Sequence, residues 1–370
     1  MKILTTILLL ISFNLYSKTI YFELKSNNTY WIKQSKLNIL PGDTLIISGN
    51  AESITFVNFK GTKKQPIIIT NKGIVKVNYS GNKGLGINNC QFVKLKFKCI
   101  NNSYGLVIKS NNTHEPAINI YKFSSDIELL GIEVASSGFA GIMAKTNPDP
   151  NNNLTWRKNY VLNNLNIHDN YIHNTEGEGM YIGYYTYSKV NGVYPHSVKN
   201  VKIWNNIIEN TGWDGIQVAC ADENSHIFNN KIKYFGLKNE FAQNSGMSIN
   251  SGFNGKINNN LISLGTGNGI NIMPLDSAII ENNKILKLKN NSYGIYIQNN
   301  KTMHENCIVI IKNNTIEAKT SLYVHNKTNT QFKEIKFINN ILINNYLKLK
   351  IIPNQLKYKK YIVINNNMLK

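Results

Sequence analysis

Short stretches of alternating apolar and polar residues fill most of the chain, and one pattern returns seven times between Ile167 and Leu342. Each copy has an apolar residue, an Asn three positions later and a second apolar residue two positions after that Asn. The period-2 alternation and the many β-branched residues predict short strands rather than helices. The Asn positions, at intervals of 23 to 36 residues, are Asn170, Asn206, Asn230, Asn260, Asn283, Asn314 and Asn340.

A repeat of this length buries only one row of side chains per strand, so it must stack on its neighbours to be stable. Parallel strands joined by right-handed turns then coil into a solenoid. We therefore predict an all-β fold, a right-handed parallel β-helix of roughly ten or more coils with an N-terminal cap. The residues from Ile167 to Phe337 are expected to form one inward row, and those from Ile172 to Leu342 another. The Asn side chains are expected to form a hydrogen-bonded ladder between coils.

A single residue followed by Gly begins the strand after each Asn turn, in seven segments from "YGLVIK" at Tyr104 to "YGIYIQ" at Tyr293. Two neighbouring segments, "EGMYIG" and "DGIQVA", carry Glu178 and Asp214 in this slot. We expect the slot, like the third and fifth residues after it, to point out of the solenoid. Adjacent parallel strands lie about 4.8 Å apart, so we expect the two carboxyl groups within about 5–7 Å of each other at the floor of a groove.

Three interpretations of this carboxyl pair are open. Two like charges so close raise one pKa, which leaves Glu178 and Asp214 as candidate catalytic acid and base, as in glycoside hydrolysis. Alternatively the pair, together with Glu176, holds a Ca²⁺ ion, which takes several oxygen atoms. In the third interpretation the carboxylates only accept backbone N–H hydrogen bonds at the turn.

Aromatic and polar residues near the slot favour a sugar ligand, because aromatic faces stack on sugar rings and amides bind hydroxyl groups. The candidate substrate-binding residues are Tyr181, Gln217, Lys145, Trp213, Tyr184 and Asn250. The alternative is that the aromatic residues fix the loops to the solenoid and that Lys145 forms a salt bridge.

These motifs resemble the right-handed parallel β-helix superfamily, which includes pectate lyases, polygalacturonases and the chondroitinase B/alginate lyase group. The opening "LPGDTLIISG" and "FKGTKKQPIIITNKG" is most similar to the N-terminal coils of the last group. The resemblance implies that a polysaccharide lies along the strands "EGMYIG" and "DGIQVA". It also implies that "EGEGMYIG" corresponds to a Ca²⁺-binding segment, with Glu176 and Glu178 as ligands. The catalytic Lys of that group would correspond to Gly183 here.

The first residues, "MKILTTILLLISFNLYSKT", combine a Lys, a short apolar run and small or polar residues, as in a secretory signal peptide. We predict a signal peptide over residues 1–17 and a single β-helix domain over residues 18–370. The apolar run is too short to span a membrane comfortably. We therefore expect a secreted or periplasmic monomer without a membrane span.

The formal net charge is +20, with Arg157 as the one Arg. A polyanionic partner would explain this charge, but the Lys residues are scattered and a compositional bias explains it equally. We expect a polysaccharide partner of acidic type, no nucleic acid, and either no cofactor or Ca²⁺. The predicted function is hydrolase-type acid/base chemistry in a groove along one sheet. The alternatives are a Ca²⁺-assisted polysaccharide lyase or epimerase, and a non-catalytic glycan-binding β-helix.

Overall fold

A computed structural model describes residues 17–111, 113–289, 291–343, 349–352 and 362–369. The predicted signal peptide, residues 1–17, lies outside these ranges except for its last residue. Within them, no helix combines the length and the apolar character that a membrane crossing requires.

The described chain winds into an all-β right-handed parallel solenoid of about twelve coils, as predicted. Each complete coil contributes a strand to the first, second and third face in turn, and every strand pairs in parallel with its counterparts in adjacent coils. The first-face strands are Thr19–Leu24, Thr44–Ala51, Ile67–Asn71, Gln91–Lys96, Ser125–Leu130, Asn166–His168, Lys202–Trp204, Ser225–Phe228, Ile308–Lys312, Glu334–Ile338 and Ile362–Asn365.

The other two faces are built in the same way. The second-face strands are Val75–Tyr79, Leu106–Ser110, Ile132–Val134, Tyr171–Thr175, Ile207–Thr211, Lys231–Lys233, Leu261–Ser263, Lys284–Leu286, Thr315–Glu317, Ile341–Ile343 and Met368–Leu369. The third-face strands are Thr29–Lys33, Ser53–Val57, Leu85–Asn88, Ile118–Tyr121, Ile142–Ala144, Met180–Ile182, Ile216–Val218, Tyr293–Gln298, Thr320–His325 and Leu349–Ile352.

A few elements depart from this plan. Two strands, Met247–Asn258 and Ile270–Glu281, run from the third face around a corner into the first. An outer three-stranded sheet contains Val161–Asn163, Ser197–Lys199 and Ala221–Glu223. One α-helical turn, Gln34–Leu37, and one 3-10 turn, Asn153–Thr155, lie in loops. The first strand already pairs within the solenoid, so the predicted N-terminal cap is not confirmed.

The two predicted inward rows form the core. Every member from Ile167 to Phe337 on the first face, and from Ile172 to Leu342 on the second, has no exposed surface. The stacked rows bury apolar area along the described solenoid, and this burial is the main source of its stability.

The predicted Asn ladder is confirmed. The side-chain Nδ2 of each ladder Asn donates to the Oδ1 of the Asn one coil further on, from Asn170 through Asn340 to Asn367, over 2.9–3.1 Å. The residue before each ladder Asn, such as Asn205 with φ of 54°, takes the left-handed conformation. Asn tolerates that conformation better than most residues. In an "NN" pair, therefore, the first Asn turns the chain and the second links the coils.

The register of one segment differs from prediction. The strand Leu106–Ser110 of "YGLVIK" pairs with Ile132–Val134 on the second face, so Tyr104 is not in the slot column. The third-face strand of that coil is Ile118–Tyr121, which pairs with Ile142–Ala144. Period-2 alternation is the same on all three faces, so it did not distinguish them.

Candidate functional site

A cavity of about 1070 Å³ lies on the outer side of the third face, and we call it the main cleft. Among the described residues, its lining contains eight aromatic rings and eight Asn or Gln amides. The rings include Tyr181, Trp213 and Tyr296, and the amides include Gln217 and Asn250. Four of the predicted substrate-binding residues therefore lie in one cavity.

Glu178 is the one carboxyl side chain among the described residues that line the main cleft. Its side chain is nearly buried, with 2% of the residue exposed, and Oε2 has no hydrogen-bond partner among them. Burial raises the pKa of Glu178 to about 7, and the charge of Lys145 opposes this rise. A carboxyl group that titrates near neutral pH can donate or accept a proton under ordinary conditions.

Asp214 occupies the same slot one coil further on, but its surroundings differ. The residue is fully buried, and Oδ1 accepts a hydrogen bond of 2.6 Å from the backbone N–H of Ser245. Asn268 makes the same bond to the N–H of Tyr293, over 3.0 Å. Burial raises the pKa of Asp214 well above its usual range, and the charge of Glu178 raises it further. The expected outward orientation at a groove floor is therefore wrong for Asp214, while its predicted catalytic role stays a prediction.

Lys145 and Tyr184 lie beside the main cleft. The Nζ of Lys145 is 4.4 Å from the centre of the Tyr181 ring and 5.7 Å from that of Tyr184. The Tyr184 ring also packs against Tyr185, which lines the cleft. Burial lowers the pKa of Lys145, and the charge of Glu178 opposes this. The amine and the carboxyl group therefore interact electrostatically next to the aromatic wall.

Glu176 lies apart from Glu178. It forms an ion pair with Lys238 and lines a second cavity, of about 630 Å³, whereas Glu178 lines the main cleft. Across the described ranges, no group of three or more His, Cys, Asp or Glu side chains is arranged to hold a metal ion. The geometry thus does not favour one Ca²⁺ ion shared by Glu176 and Glu178, and a Ca²⁺ requirement stays a prediction.

Several cleft residues were not predicted as site residues. Phe241, in an inserted loop beside the cleft, is 91% exposed. The rings of Tyr296 and Tyr323 stack at 4.8 Å, and Phe139 packs edge-on against Trp213. Phe241 is an apolar ring inside the polar insertion "KNEFAQN", and this contrast in the sequence could have indicated it as a ligand-binding residue. The contact of Phe139 with Trp213 joins residues two coils apart and has no local signal.

One family model and several solved structures are similar to this chain. The family model described as a right handed beta helix region matches residues 191–367. An alginate lyase from Paenibacillus sp. str. FPU-7 is 15% identical over 94% of this chain and 95% of its own, with a TM-score of 0.40. The A-module of the mannuronan C-5 epimerase AlgE4 from Azotobacter vinelandii is 12% identical over 95% and 87%, with a TM-score of 0.44.

A third solved structure, the lacto-N-biosidase from Eubacterium ramulus, is 12% identical over 92% of this chain and 67% of its own, with a TM-score of 0.43. No curated protein matches the sequence significantly. By its parallel coils and its Asn ladder, this chain folds as a right-handed parallel β-helix, and the family model matches the C-terminal part of it.

Proposed function

We propose that this protein is a carbohydrate-active enzyme that binds a polysaccharide in the main cleft and uses Glu178 for proton transfer. The composition of the cleft supports a sugar ligand, because rings such as Trp213 offer flat apolar faces and amides such as Gln217 offer donors and acceptors for hydroxyl groups. The acidic character of the glycan, inferred from the net charge, remains part of the proposal.

The observation that carries the enzymatic part is the state of Glu178. Its carboxyl group is buried, faces a cavity and has an oxygen without a hydrogen-bond partner among the described residues. Burying such a group costs folding free energy, so a structural role explains it poorly. A raised pKa in a cleft is characteristic of catalytic acids and bases.

In the hydrolytic reaction, protonated Glu178 donates its proton to the glycosidic oxygen as the bond from that oxygen to the sugar carbon breaks. Water then adds a hydroxyl group to that carbon, and its remaining proton passes to a carboxylate, either Glu178 itself or a second one. Glycosidases use a second carboxylate to activate the water or attack the carbon. Asp214 is the predicted partner, and its burial and its bond to Ser245 argue against direct contact with the sugar.

Elimination is the second candidate reaction, and Lys145 favours it. Its lowered pKa increases the fraction of neutral amine, which can remove a proton from the carbon next to a sugar carboxylate. The carbon–oxygen bond then breaks, a carbon–carbon double bond forms, and Glu178 protonates the leaving oxygen. This route corresponds to the lyase alternative and uses an acidic polysaccharide.

A polysaccharide screen tests the proposal. The purified protein is incubated with polygalacturonate, alginate, hyaluronate, xylan and a β-glucan, with and without Ca²⁺, and assayed for reducing ends and for the ultraviolet absorbance of unsaturated sugars. We expect one glycan to be cleaved, and we expect Glu178→Gln to lower kcat at least 100-fold. Glu305→Gln, at an exposed position outside the cleft, is the matched control. Binding without any product would contradict the enzymatic proposal and favour the non-catalytic glycan-binding alternative.

Export belongs to the same proposal, because a polysaccharide-degrading enzyme meets its substrate outside the cytoplasm. Its support is the N-terminal segment, residues 1–17. Fractionation of cells that express the full chain, followed by N-terminal sequencing of the mature protein, tests it. Full-length protein confined to the cytoplasm would contradict it.

A further inference from the structure

We propose that Phe139 and Trp213 form a sugar-binding ridge that joins the main cleft to the second cavity, so that one glycan chain crosses the ridge with sugars on both sides of Glu178. The inference rests on the proposed function and extends it to an internally cleaving enzyme. The second cavity and the contact between Phe139 and Trp213 have no role in the function proposed above.

The ridge exists because Gly177 lacks a side chain. Phe139, Gly177 and Trp213 occupy the same position on three successive coils, since the N–H of Gly177 donates to the carbonyl of Phe139 and the N–H of Trp213 to that of Gly177. Two coil spacings amount to about 9.6 Å. The two rings nevertheless meet across Gly177, with centroids 5.6 Å apart at an interplanar angle of 83°. A Cβ on Gly177 would lie 2.9 Å from the Phe139 ring.

The ridge borders both cavities. Phe139 and Trp213 line the main cleft and also the second cavity of about 630 Å³. Both rings are partly exposed, so part of their surface is available to a ligand. The second cavity adds hydroxyl, amide and charged groups from Ser110, Thr113, His114, Asn174, Glu176 and Lys238. The two cavities are thus neighbouring, sugar-compatible spaces with an aromatic wall in common.

The ridge lies beside Glu178, the residue proposed to transfer the proton. Gly177 directly precedes Glu178 in the chain, and the Phe139 ring also contacts that of Tyr181, with centroids 6.2 Å apart. A sugar stacked on the ridge therefore lies next to the proton-transferring carboxyl group. Its neighbours along the chain extend into the second cavity on one side and along the main cleft on the other. Cleavage at Glu178 then occurs within the glycan, not at its end.

Chain-length dependence tests this inference. Oligosaccharides of two to eight sugars are prepared from whichever screened polysaccharide is cleaved or bound, and kcat/KM is measured for each length. We expect kcat/KM of the wild type to rise with length and the first products from the polymer to be internal fragments. Trp213→Ala should lower kcat/KM at least 10-fold for the longest oligosaccharides and less than 3-fold for the shortest.

Two further variants keep the test specific. Gly177→Ala retains both rings and Glu178 but forces the Phe139 ring to move. It should therefore reduce the rise of kcat/KM with oligosaccharide length, as Trp213→Ala does. Trp31→Ala, at an exposed Trp on the first described coil of the third face, is the matched control and should leave the length dependence unchanged. Melting temperatures of all variants verify folding.

The outcomes separate this inference from the proposed function. An equal loss of kcat/KM for Trp213→Ala at all oligosaccharide lengths would overturn the ridge inference and leave the proposed function in place. Release of products from chain ends only would do the same. If the wild type cleaves nothing but is retarded in a polysaccharide gel, and Trp213→Ala abolishes the retardation, the ridge stands as a binding surface, while internal cleavage and the enzymatic proposal both fail. Absence of both cleavage and retardation with all five polysaccharides would overturn both.

Discussion

Glu178 and Asp214 occupy one slot on adjacent coils, and the difference between them is one methylene group. The shorter Asp214 side chain stays against the backbone and accepts the N–H of Ser245, as Asn268 does for Tyr293. The longer Glu178 side chain reaches the cleft. Strand periodicity predicted the common slot, but it carries no information on side-chain reach, so the sequence alone could not assign different environments to the two carboxyl groups.

The raised pKa of Glu178 makes the stability of the protein depend on pH. The folded state holds this proton up to about pH 7, whereas an unfolded Glu releases it near 4.5. The resulting stability is present below pH 4.5 and is lost as pH rises toward 7 and beyond. We expect Glu178→Gln to be more stable than the wild type by about 3 kcal/mol at pH 8 and nearly equal to it at pH 4.

Denaturant unfolding at pH 4 and pH 8 measures this difference, with Glu305→Gln as the control. An equal effect of Glu178→Gln at both pH values would show that the carboxyl group does not titrate in this range.

Asp214→Asn separates a catalytic role from a structural one. An Asn in this slot can accept the Ser245 N–H as Asn268 accepts that of Tyr293, so we expect the free energy of unfolding to change by less than about 1 kcal/mol. We also expect most of the activity to remain, because Asp214 is not among the residues that line the cleft. Measured kcat and denaturant midpoints check both. Loss of activity at unchanged stability would restore the predicted catalytic pair.

At the scale of the strand and turn, the ladder is the feature that sequence predicts best. It depends on one residue type, Asn, at one position of a local repeat. The recurring "NN" pairs show both the residue type and the position. The ridge depends on Phe139 and Trp213, which meet only because an intervening Gly lies between them in the stack. The slot alignment sets Phe139, Gly177 and Trp213 in one column, but it carries no information on whether two rings meet across a Gly, and this is why the contact escaped prediction.

Asn206→Ala should destabilise the protein by roughly 1–3 kcal/mol. The substitution removes the amide that donates to Asn230 and to the carbonyl of Ile167. It also removes the Oδ1 that accepts from the backbone N–H and the side-chain Nδ2 of Asn170. Chemical denaturation measures the loss. Asn205→Gly is the matched control, because Gly adopts the left-handed turn at φ of 54° without strain and keeps the ladder. Equal effects of the two variants would contradict a special role for the ladder.

For the molecule as a whole, the stacked rows imply that a single inward charge disrupts more than its own coil. Ile227 is fully buried and lies between Ile203 and Ile257 of the neighbouring coils. Ile227→Asp should cost more than about 4 kcal/mol and prevent folding, because it buries an unpaired carboxylate. Lys202→Asp, on the outer side of the same face, is the control and should fold. Circular dichroism and thermal melts compare them, and a native melt for Ile227→Asp would refute the register.

The Asn ladder also gives the solenoid a direction. All seven side-chain bonds from Asn170 to Asn367 run from the Nδ2 of one coil to the Oδ1 of the next, so the amide dipoles add along the axis instead of cancelling. Hydrogen bonds arranged head to tail polarise one another and strengthen the chain they form. An amide in the middle of this column, such as Asn260, is therefore polarised from both sides, whereas Asn170 and Asn367 each have a ladder neighbour on one side. The column is thus a continuous line of aligned amide dipoles inside an apolar core. Loss of an Asn at its centre would divide this line into two shorter ones with weaker dipoles.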